Sequence, residues 1–449
     1  MSFKPYPAYK DSGIEWIGEI PKDWNLTKVR YTSSMNKYTL SERTSKDLKI
    51  NYIDIGSVNS DGHITNIETM NFSDAPSRAR RITSKGDIIV STVRTYLKAI
   101  AFIDWEQERL ISSTGFAVIT PNEKVVNKFM AYLFRTSIYL EEIESRSVGV
   151  SYPAINSSEI ERLEMILPPL ESQVNIVKYL DDISRNVSLI IQSKEKLIIK
   201  LVEKRQAVIT EAVTKGLDPN MPMKDSGVEW VGEIPAHWTT SRLDFTSKVK
   251  ARLGWKGLKA EEYVDEGYIL LSTPNLRGRE IEFDNVNYIT EERYLESPEI
   301  MLEVGDVLLV KDGSTLGITN VVRKLPMGAT VNSSTAVIRP TNQVDSIYLY
   351  YYLTSTYIQD IVNQVKDGMG VPHLFQADIK KFKVLLPTLS EQIQIGQFLD
   401  KSTYRIEQAI ESIQFQIKIL KEYRESLIYE AVTGKIDLRD YKGGEYDGD

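Results

Sequence analysis

The chain contains one phrase twice. Residues 10–24 read KDSGIEWIGEIPKDW and residues 224–238 read KDSGVEWVGEIPAHW, identical at eleven of fifteen positions, with two of the four differences Ile/Val exchanges. A phrase repeated half a chain apart reports an internal duplication, and a duplicated chain folds as two related modules. Further anchors follow in the same order. GDIIVSTVR (86–94) answers GDVLLVKDG (305–313), FAVITP (116–121) answers TAVIRP (335–340), and EMILPPLESQVNIVKYLD (164–181) answers KVLLPTLSEQIQIGQFLD (383–400). EAVT closes both copies, at 211–214 and 430–433. The offset is 214 at the leader and 219 from residue 86 onward. Residues 25–85 and 239–304 show no alignable similarity, so a shared scaffold carries two different surfaces.

A chain of 449 residues exceeds one core and suits two to four domains. With no cysteine, disulfides and thiolate metal sites are excluded. His63, His237 and His373 lie far apart, without ligand spacing, so no metal site is expected. The N-terminus MSFKPYPAYKDSG is polar and Pro-rich, unlike a signal peptide, and no apolar run has membrane-span length. A cytoplasmic protein without membrane contact is expected. The net charge of −7 argues mildly against nucleic acid, but charge distribution matters more than the sum. Residues 78–98 hold six cations against Asp87, and residues 242–259 hold six against Asp244. Each copy thus has a basic stretch in its divergent half, readable as a solvated surface or as a contact for an anionic partner.

Short β-branched runs punctuated by Gly and Asp (INYIDIG, GDIIVSTV and FAVIT; then YILLSTP, GDVLLV and TAVIRP) predict strands. Residues 125–146 and the segment YLYYYLTSTYIQDIVNQV predict helices. The following loops, GVSYP (149–153) and GMGVP (368–372), keep a Gly and a Pro, and fit a structural turn as well as a phosphate contact. Glu171–Thr214 holds neither Gly nor Pro, and Ser390–Thr433 holds a single Gly. An unbroken 44-residue helix would be ~66 Å long, with Ser390 a candidate cap for the second. Ile406, Ile410, Ile413, Ile417, Leu420, Leu427 and Ala431 alternate by threes and fours once Arg424 fills its slot. Val187, Ile191, Ile198, Leu201, Val208 and Ala212 occupy the matching slots of the first, with Lys194 and Arg205. That seam predicts an antiparallel coiled-coil-like pair, and the two arginines are expected to pair with helix carboxylates first, with contacts to another subunit as the second reading. DNA repeats every ~34 Å, so two modules on such a spacer could meet one face of a duplex.

Catalytic signatures do not appear. There is no Asn-Pro-Pro-Tyr-like loop, no glycine-rich cofactor fingerprint, no phosphate-binding loop with its lysine, and no Gly-x-Ser-x-Gly elbow. GSTLG (313–317) reads as a turn, and Glu141–Glu142 and Asp181–Asp182 as solvated helix carboxylates.

The duplicated leader, the GD-strand, the Pro-terminated strand and the EQ-rich long helix together resemble the specificity (S) subunit of type I restriction–modification systems, over about residues 8–435. The resemblance implies two target recognition domains reading the halves of a split, asymmetric double-stranded DNA site. It implies two helices that set the spacing and dock two methyltransferase (M) subunits, with endonuclease/translocase (R) subunits joining the complex. It also implies a non-catalytic chain that binds no cofactor itself. S-adenosylmethionine, ATP and magnesium would belong to partner subunits. The family fixes no contact list. Charge and loop position nominate Arg78, Arg80, Arg81, Arg94, Lys98 and Tyr152 in the first module. They nominate Lys250, Arg252, Lys256, Arg277, Arg279, Lys311 and Ser314 in the second. Most contacts of such a surface go to phosphates, fewer to base edges. Trp16, Trp24, Trp230 and Trp238 are expected to pack each leader on its module, with M-subunit docking as the sharper reading.

The expected fold is α+β: two pseudo-repeated mixed α/β target recognition domains (1–170 and 224–389) joined by spacer helices (171–214 and 390–433). A linker at 215–223 and an acidic tail at 434–449, expected to fray from Asp437 to Asp449, complete the map. A tandem-module protein-binding adaptor with a coiled-coil spacer is the alternative.

Overall fold

The computed structural model describes residues 4–252, 258, 260–366 and 372–443. The chain divides into two compact units whose boundary falls inside both long helices. Unit 1 is Met1–Lys194 with Phe415–Asp449, and unit 2 is Glu195–Gln414. Each unit therefore owns one module and half of each long helix.

Unit 1 is built on an antiparallel sheet ordered Ser33–Met35, Phe116–Pro121, Ile88–Ser91, Ile100–Phe102. Unit 2 repeats it with Ser247–Lys250, Thr335–Pro340, Val307–Val310 and Thr319–Val321. The central runs IIVS and VLLV are buried throughout, as strands covered on both faces require. A second sheet holds the divergent segment. In unit 1 Lys49–Ile53 pairs antiparallel with Glu68–Asn71 and parallel with Leu110–Ser113. In unit 2 Tyr268–Leu271 pairs antiparallel with Asn287–Ile289 and parallel with Ala329–Val331. The topology is kept where the sequences no longer align. Unit 1 adds a fourth strand, Ala79–Ile82, on Leu110–Ser113.

The duplicated motifs are framework devices. Gly86 (φ +91°) and Gly305 (φ +96°) turn the chain into the core strand, and a Cβ on Gly86 would stand 2.5 Å from Asn127 Nδ2. The next residue, Asp87, accepts from the Ser84 amide at 2.7 Å and the Thr120 hydroxyl at 2.6 Å. Its counterpart Asp306 accepts from the Glu303 amide at 2.8 Å and takes a two-pronged pair from Arg339 at 2.7 and 2.8 Å. The glutamine of ESQ and SEQ staples the start of each long helix. Gln173 accepts from the Val126 amide (2.8 Å) and donates to the Pro168 carbonyl (2.8 Å), and Gln392 accepts from the Asp345 amide (2.8 Å) and donates to the Pro387 carbonyl (3.0 Å). Both are buried, so no water could replace these bonds.

The long helices run Leu170–Lys215 and Leu389–Val432. Every seam position named from the sequence, Lys194, Arg205 and Arg424 included, is buried or half-buried. Within unit 1, Lys194 Nζ donates to Gln416 Oε1 at 2.6 Å, while Ile176, Tyr179 and Leu180 share a core with Ile428, Ala431 and Val432. Within unit 2, Arg205 meets Glu407 at 3.4 Å, and Gly216 lies against Glu391. In each unit the helices are antiparallel, and each unit's module packs on them through its own core.

Five local expectations need correction. Arg205 has its helix carboxylate, but Arg424 pairs with Asp61 of a loop at 3.8 Å, because that loop comes down on the helix. The Glu391 amide donates to Thr388 Oγ1 at 3.3 Å, so Thr388 caps the second helix and Ser390 lies inside its first turn. The expected single helix over 125–146 is two, Asn127–Phe134 and Ser137–Ser145, and Ser346–Thr354 and Thr356–Lys366 repeat the break. There the Thr136 and Ser355 hydroxyls take the carbonyls of Leu133 and Tyr352, local bonds that compete with helix continuation. The start of the acidic tail does not fray. Leu438 is buried, and Tyr441 stacks edge-on against Tyr179 and donates to Asp182 at 2.9 Å. Residues 444–449 lie outside the described residues. Of the leader tryptophans, Trp24 and Trp238 are fully buried and Trp16 packs edge-on against Tyr139 at 5.0 Å, but Trp230 is 70% exposed. At the offset of 219 the position of Tyr139 is filled by the smaller Ile358.

Candidate nucleic-acid interface

The shared framework holds two loops side by side in each unit. In unit 1 the Arg94 amide donates to the Pro153 carbonyl at 2.7 Å, the Ile155 amide to Thr92 at 2.9 Å, and the hydroxyls of Thr95 and Ser147 lie 2.9 Å apart. Unit 2 repeats the backbone pair: the Gly313 amide donates to Pro372 at 2.9 Å and the Leu374 amide to Lys311 at 2.8 Å. The position shared by Arg94 and Gly313 is left-handed in both, at φ +52° and +76°. Glycine suits that conformation, whereas an arginine there carries a steric cost.

In unit 1 this apposition builds one exposed patch. The Arg94 guanidinium lies over the Tyr152 ring, 5.1 Å from its centroid. Tyr96, Leu97, Lys98, Val148 and Val150 are exposed around it. The patch thus joins Arg94 and Tyr152 from separate parts of the sequence, a cation over a flat aromatic face, while Lys98, exposed just beyond the same turn, also lines a cavity with Asp61 and Arg135. The remaining first-module residues lie on or just before another strand, Ala79–Ile82. Arg78 is held by Asp54 at 3.1 Å and the Tyr52 hydroxyl at 3.3 Å while staying half exposed. Arg80 sits over Phe72 at 4.8 Å, and Arg81 is half-buried against Thr39, where burial pushes its guanidinium below the usual range.

The second module places its nominated residues differently. Lys311 is largely buried and pairs with Asp312 at 2.7 Å; Asp312 also receives the His373 ring. Ser314 is exposed beside them, as is Phe375, which stacks edge-on with His373. Lys250 is exposed on the edge strand Ser247–Lys250, and Arg277 is exposed after the turn Thr273–Leu276. Two residues expected on an open surface are turned inward. Arg252 is half-buried with Arg293, Glu299, Glu296 and Glu262 nearby; burial and the neighbouring guanidinium push it down. Arg279 reaches Asp400 at 3.6 Å and Glu407 at 3.7 Å and lies over Tyr404. Lys256 and Gly368 lie outside the described residues.

Sequence reasoning passed over the exposed cation–aromatic pairs Arg30–Tyr31 (4.8 Å) and Lys37–Tyr38 (5.1 Å) in unit 1 and Arg242–Phe245 (5.3 Å) in unit 2. Adjacent RY and KY dipeptides were the available signal. Among the described residues no group of His, Asp or Glu could hold a metal ion, and no helix is long and apolar enough to cross a membrane.

Comparison with known proteins gives this geometry its context. The family model of the type I restriction modification DNA specificity domain matches twice, at residues 22–198 and 246–414. The chain belongs to that family. It is a specificity subunit of a type I restriction–modification system, non-catalytic itself, with catalysis carried by partner subunits. The putative MjaX specificity subunit of Methanocaldococcus jannaschii is 25% identical over 94% of this chain and 96% of its own length. The EcoKI specificity subunit of Escherichia coli is 22% identical over 71% of this chain and 68% of its own. A chain from a structural study of assembly and conformational transition in the type I R-M system covers 93% of this chain and 99% of its own length, at 20% identity and a TM-score of 0.72. The HsdS subunit from Thermoanaerobacter tengcongensis covers 93% and 98%, at 21% identity and a TM-score of 0.52. Both likenesses are of fold.

Proposed function

We propose that this specificity subunit reads a bipartite, asymmetric DNA site, one half with each module. The observation that carries the reading is the contrast within the duplication. Core sheet, GD turn, glutamine staple and paired loops are repeated, while the side chains exposed on those loops are unlike. Arg94, Lys98 and Tyr152 are exposed in one unit, while the other has Gly313 at the position of Arg94 and exposes Ser314 and Phe375 beside a His373–Asp312–Lys311 cluster. Two equal scaffolds with unequal loops suit two different half-sites. Contacts of the first patch would go mainly to phosphate and sugar, with guanidinium and ring faces supplying position more than sequence.

The helices would set the distance between half-sites and dock two methyltransferase subunits. Apolar side chains stand exposed along them: Leu189, Ile190, Phe415 and Ile419 in unit 1, Ile199, Val202 and Phe398 in unit 2. Such a surface is costly for a free chain and suits a subunit made to be covered. R subunits would join that complex, and S-adenosylmethionine, ATP and magnesium would be bound by the partners.

A salt titration of DNA binding by the assembled complex tests the reading. Phosphate neutralisation predicts that log K falls linearly with log salt, with a slope of about −0.9 per phosphate contacted. A flat titration would instead favour the protein-binding adaptor.

A further inference from the structure

In both units a loop of the divergent segment comes down on the helix pair at the same place, and the charges around it differ. Four framework positions agree at the offset of 219: Asp181 with Asp400, Tyr132 with Tyr351, Ser184 with Thr403, and Arg424 with Arg205. Tyr132 donates to Asp181 and Tyr351 to Asp400, each at 2.7 Å. Four neighbouring positions disagree, and each changes the charge. Lys128, Arg135, Ser188 and Asp104 in unit 1 stand where unit 2 has Ile347, Thr354, Glu407 and Arg323.

The seat in unit 1 is cationic. Lys128, Arg135 and Arg424 line a cavity of about 390 Å³ with Tyr132, Ser184 and Ser188, and Lys128 neutralises Asp181 at 2.9 Å. Arg135 is held below the usual guanidinium range, first by burial and then by the neighbouring Arg424. Into this seat comes the loop Asn59–His63. Asp61 meets Arg424 at 3.8 Å, its carbonyl accepts from Arg135, and Asp104 faces the cavity from its rim. Glycine at 62 allows the close approach, because a Cβ there would stand 2.5 Å from the Ile100 carbonyl oxygen. An adjoining cavity adds Lys98, Glu422 and Glu425 beneath the same arginines.

The seat in unit 2 is anionic. Asp400, Glu407 and Glu411 stand there with Arg205 of the facing long helix. What arrives is basic: Arg323 grips Asp400 with two bonds of 2.7 and 2.9 Å, and Arg279 lies between Asp400 and Glu407 and donates to Thr403 at 3.3 Å.

We propose that these seats are a charge key that matches each divergent segment to its own framework: the first, with Lys128 and Arg135 from the module and Arg424 from the long helix, accepts an acidic loop, and the second, with Asp400 and Glu407 from the long helix, a basic one. The key works within each unit and stands whether or not the modules read DNA as proposed above. A divergent segment exchanged between modules would set Arg279 against Arg135 and Arg424, or Asp61 against Asp400 and Glu407. Like charges in partly buried sites repel most, whereas exposed pairs contribute little.

Hydrogen exchange on the full-length chain tests the key without DNA. In the D61R variant the amides of Gly62 and Thr65, bonded to Asn59 and Ser57, should exchange about tenfold faster than in the native chain. The milder D61N should show a smaller rise, which guards against a gross folding defect. Adding R424E to D61R should restore slow exchange, although R424E alone speeds it. In unit 2, R279E should speed exchange at the Glu282 amide, bonded to Asn275, and E407R should reverse it. Unchanged exchange in both D61R and R279E, or failure of both second substitutions to rescue, would overturn the proposal.

Discussion

At the scale of single residues, the duplicated motifs and the divergent ones follow different physics. Asp87 is a framework group. Burial pushes its carboxyl above the ordinary 3.8, while the Thr120 and Ser84 bonds pull it back. The folded chain therefore keeps this proton at pH values where the unfolded chain has lost it. Its contribution to stability falls as pH rises from the ordinary value through the raised one, and is constant beyond. Asp87→Asn should abolish that slope in unfolding titrations of the isolated chain and, by losing an acceptor for one of two bonds, cost about 0.5–1.5 kcal/mol at neutral pH. Arg94 is the opposite kind of residue. The second copy has glycine at its position, so Arg94→Gly removes the guanidinium while relieving the left-handed backbone. Stability should hold or rise by up to ~1 kcal/mol, while the assembled complex loses DNA affinity and about one contact's worth of salt dependence. Unaltered binding by that variant would take Arg94 out of the interface.

Among the elements, the helix pair was the most legible. Its seam could be read position by position because a repeat of threes and fours survives without knowledge of the partner, and every named slot proves buried or half-buried. The glutamine staples were visible only as a repeated letter. Nothing in the sequence says that Gln173 reaches back to Val126 and Pro168, since those bonds depend on where the strand before the helix ends. Gln173→Leu would leave that amide and carbonyl buried without partners, and should lower stability by roughly 1–3 kcal/mol per orphaned group in thermal unfolding. The nominated contact residues were the least legible. Charge alone could not separate the exposed Lys98 from Arg279, whose guanidinium is engaged by Asp400 and Glu407, because the carboxylates that claim Arg279 lie more than a hundred residues away. Lengthening both long helices by seven residues keeps the seam in phase and adds ~10 Å. Methylation mapping on a random DNA library should then show a spacer longer by about three base pairs, at ~3.4 Å per pair, with both half-sites unchanged. Altered half-sites would mean that the helices do more than measure.

For the whole molecule, the duplication bears on assembly. A chain with one copy of the scaffold offers one docking face, and a chain with two offers two, provided that the face belongs to the part that was kept. The kept parts here are the leader, the glutamine staple and the helix seam, and they recur in both units down to equivalent hydrogen bonds. Side chains that differ between units lie on the loops proposed to meet DNA, at the two seats, and on the outer faces of the helices, where Leu189, Ile199 and Phe415 answer Gln408, Lys418 and Lys196. A methyltransferase subunit that recognises the repeated surface cannot distinguish the two copies by those loops, so occupancy of one leaves the other open. Native mass measurement of the reconstituted complex should find two methyltransferase subunits per specificity chain, with a one-to-one species appearing only when the methyltransferase is limiting. A one-to-one complex that persists in methyltransferase excess would show that the divergent surface, not the repeated one, governs docking.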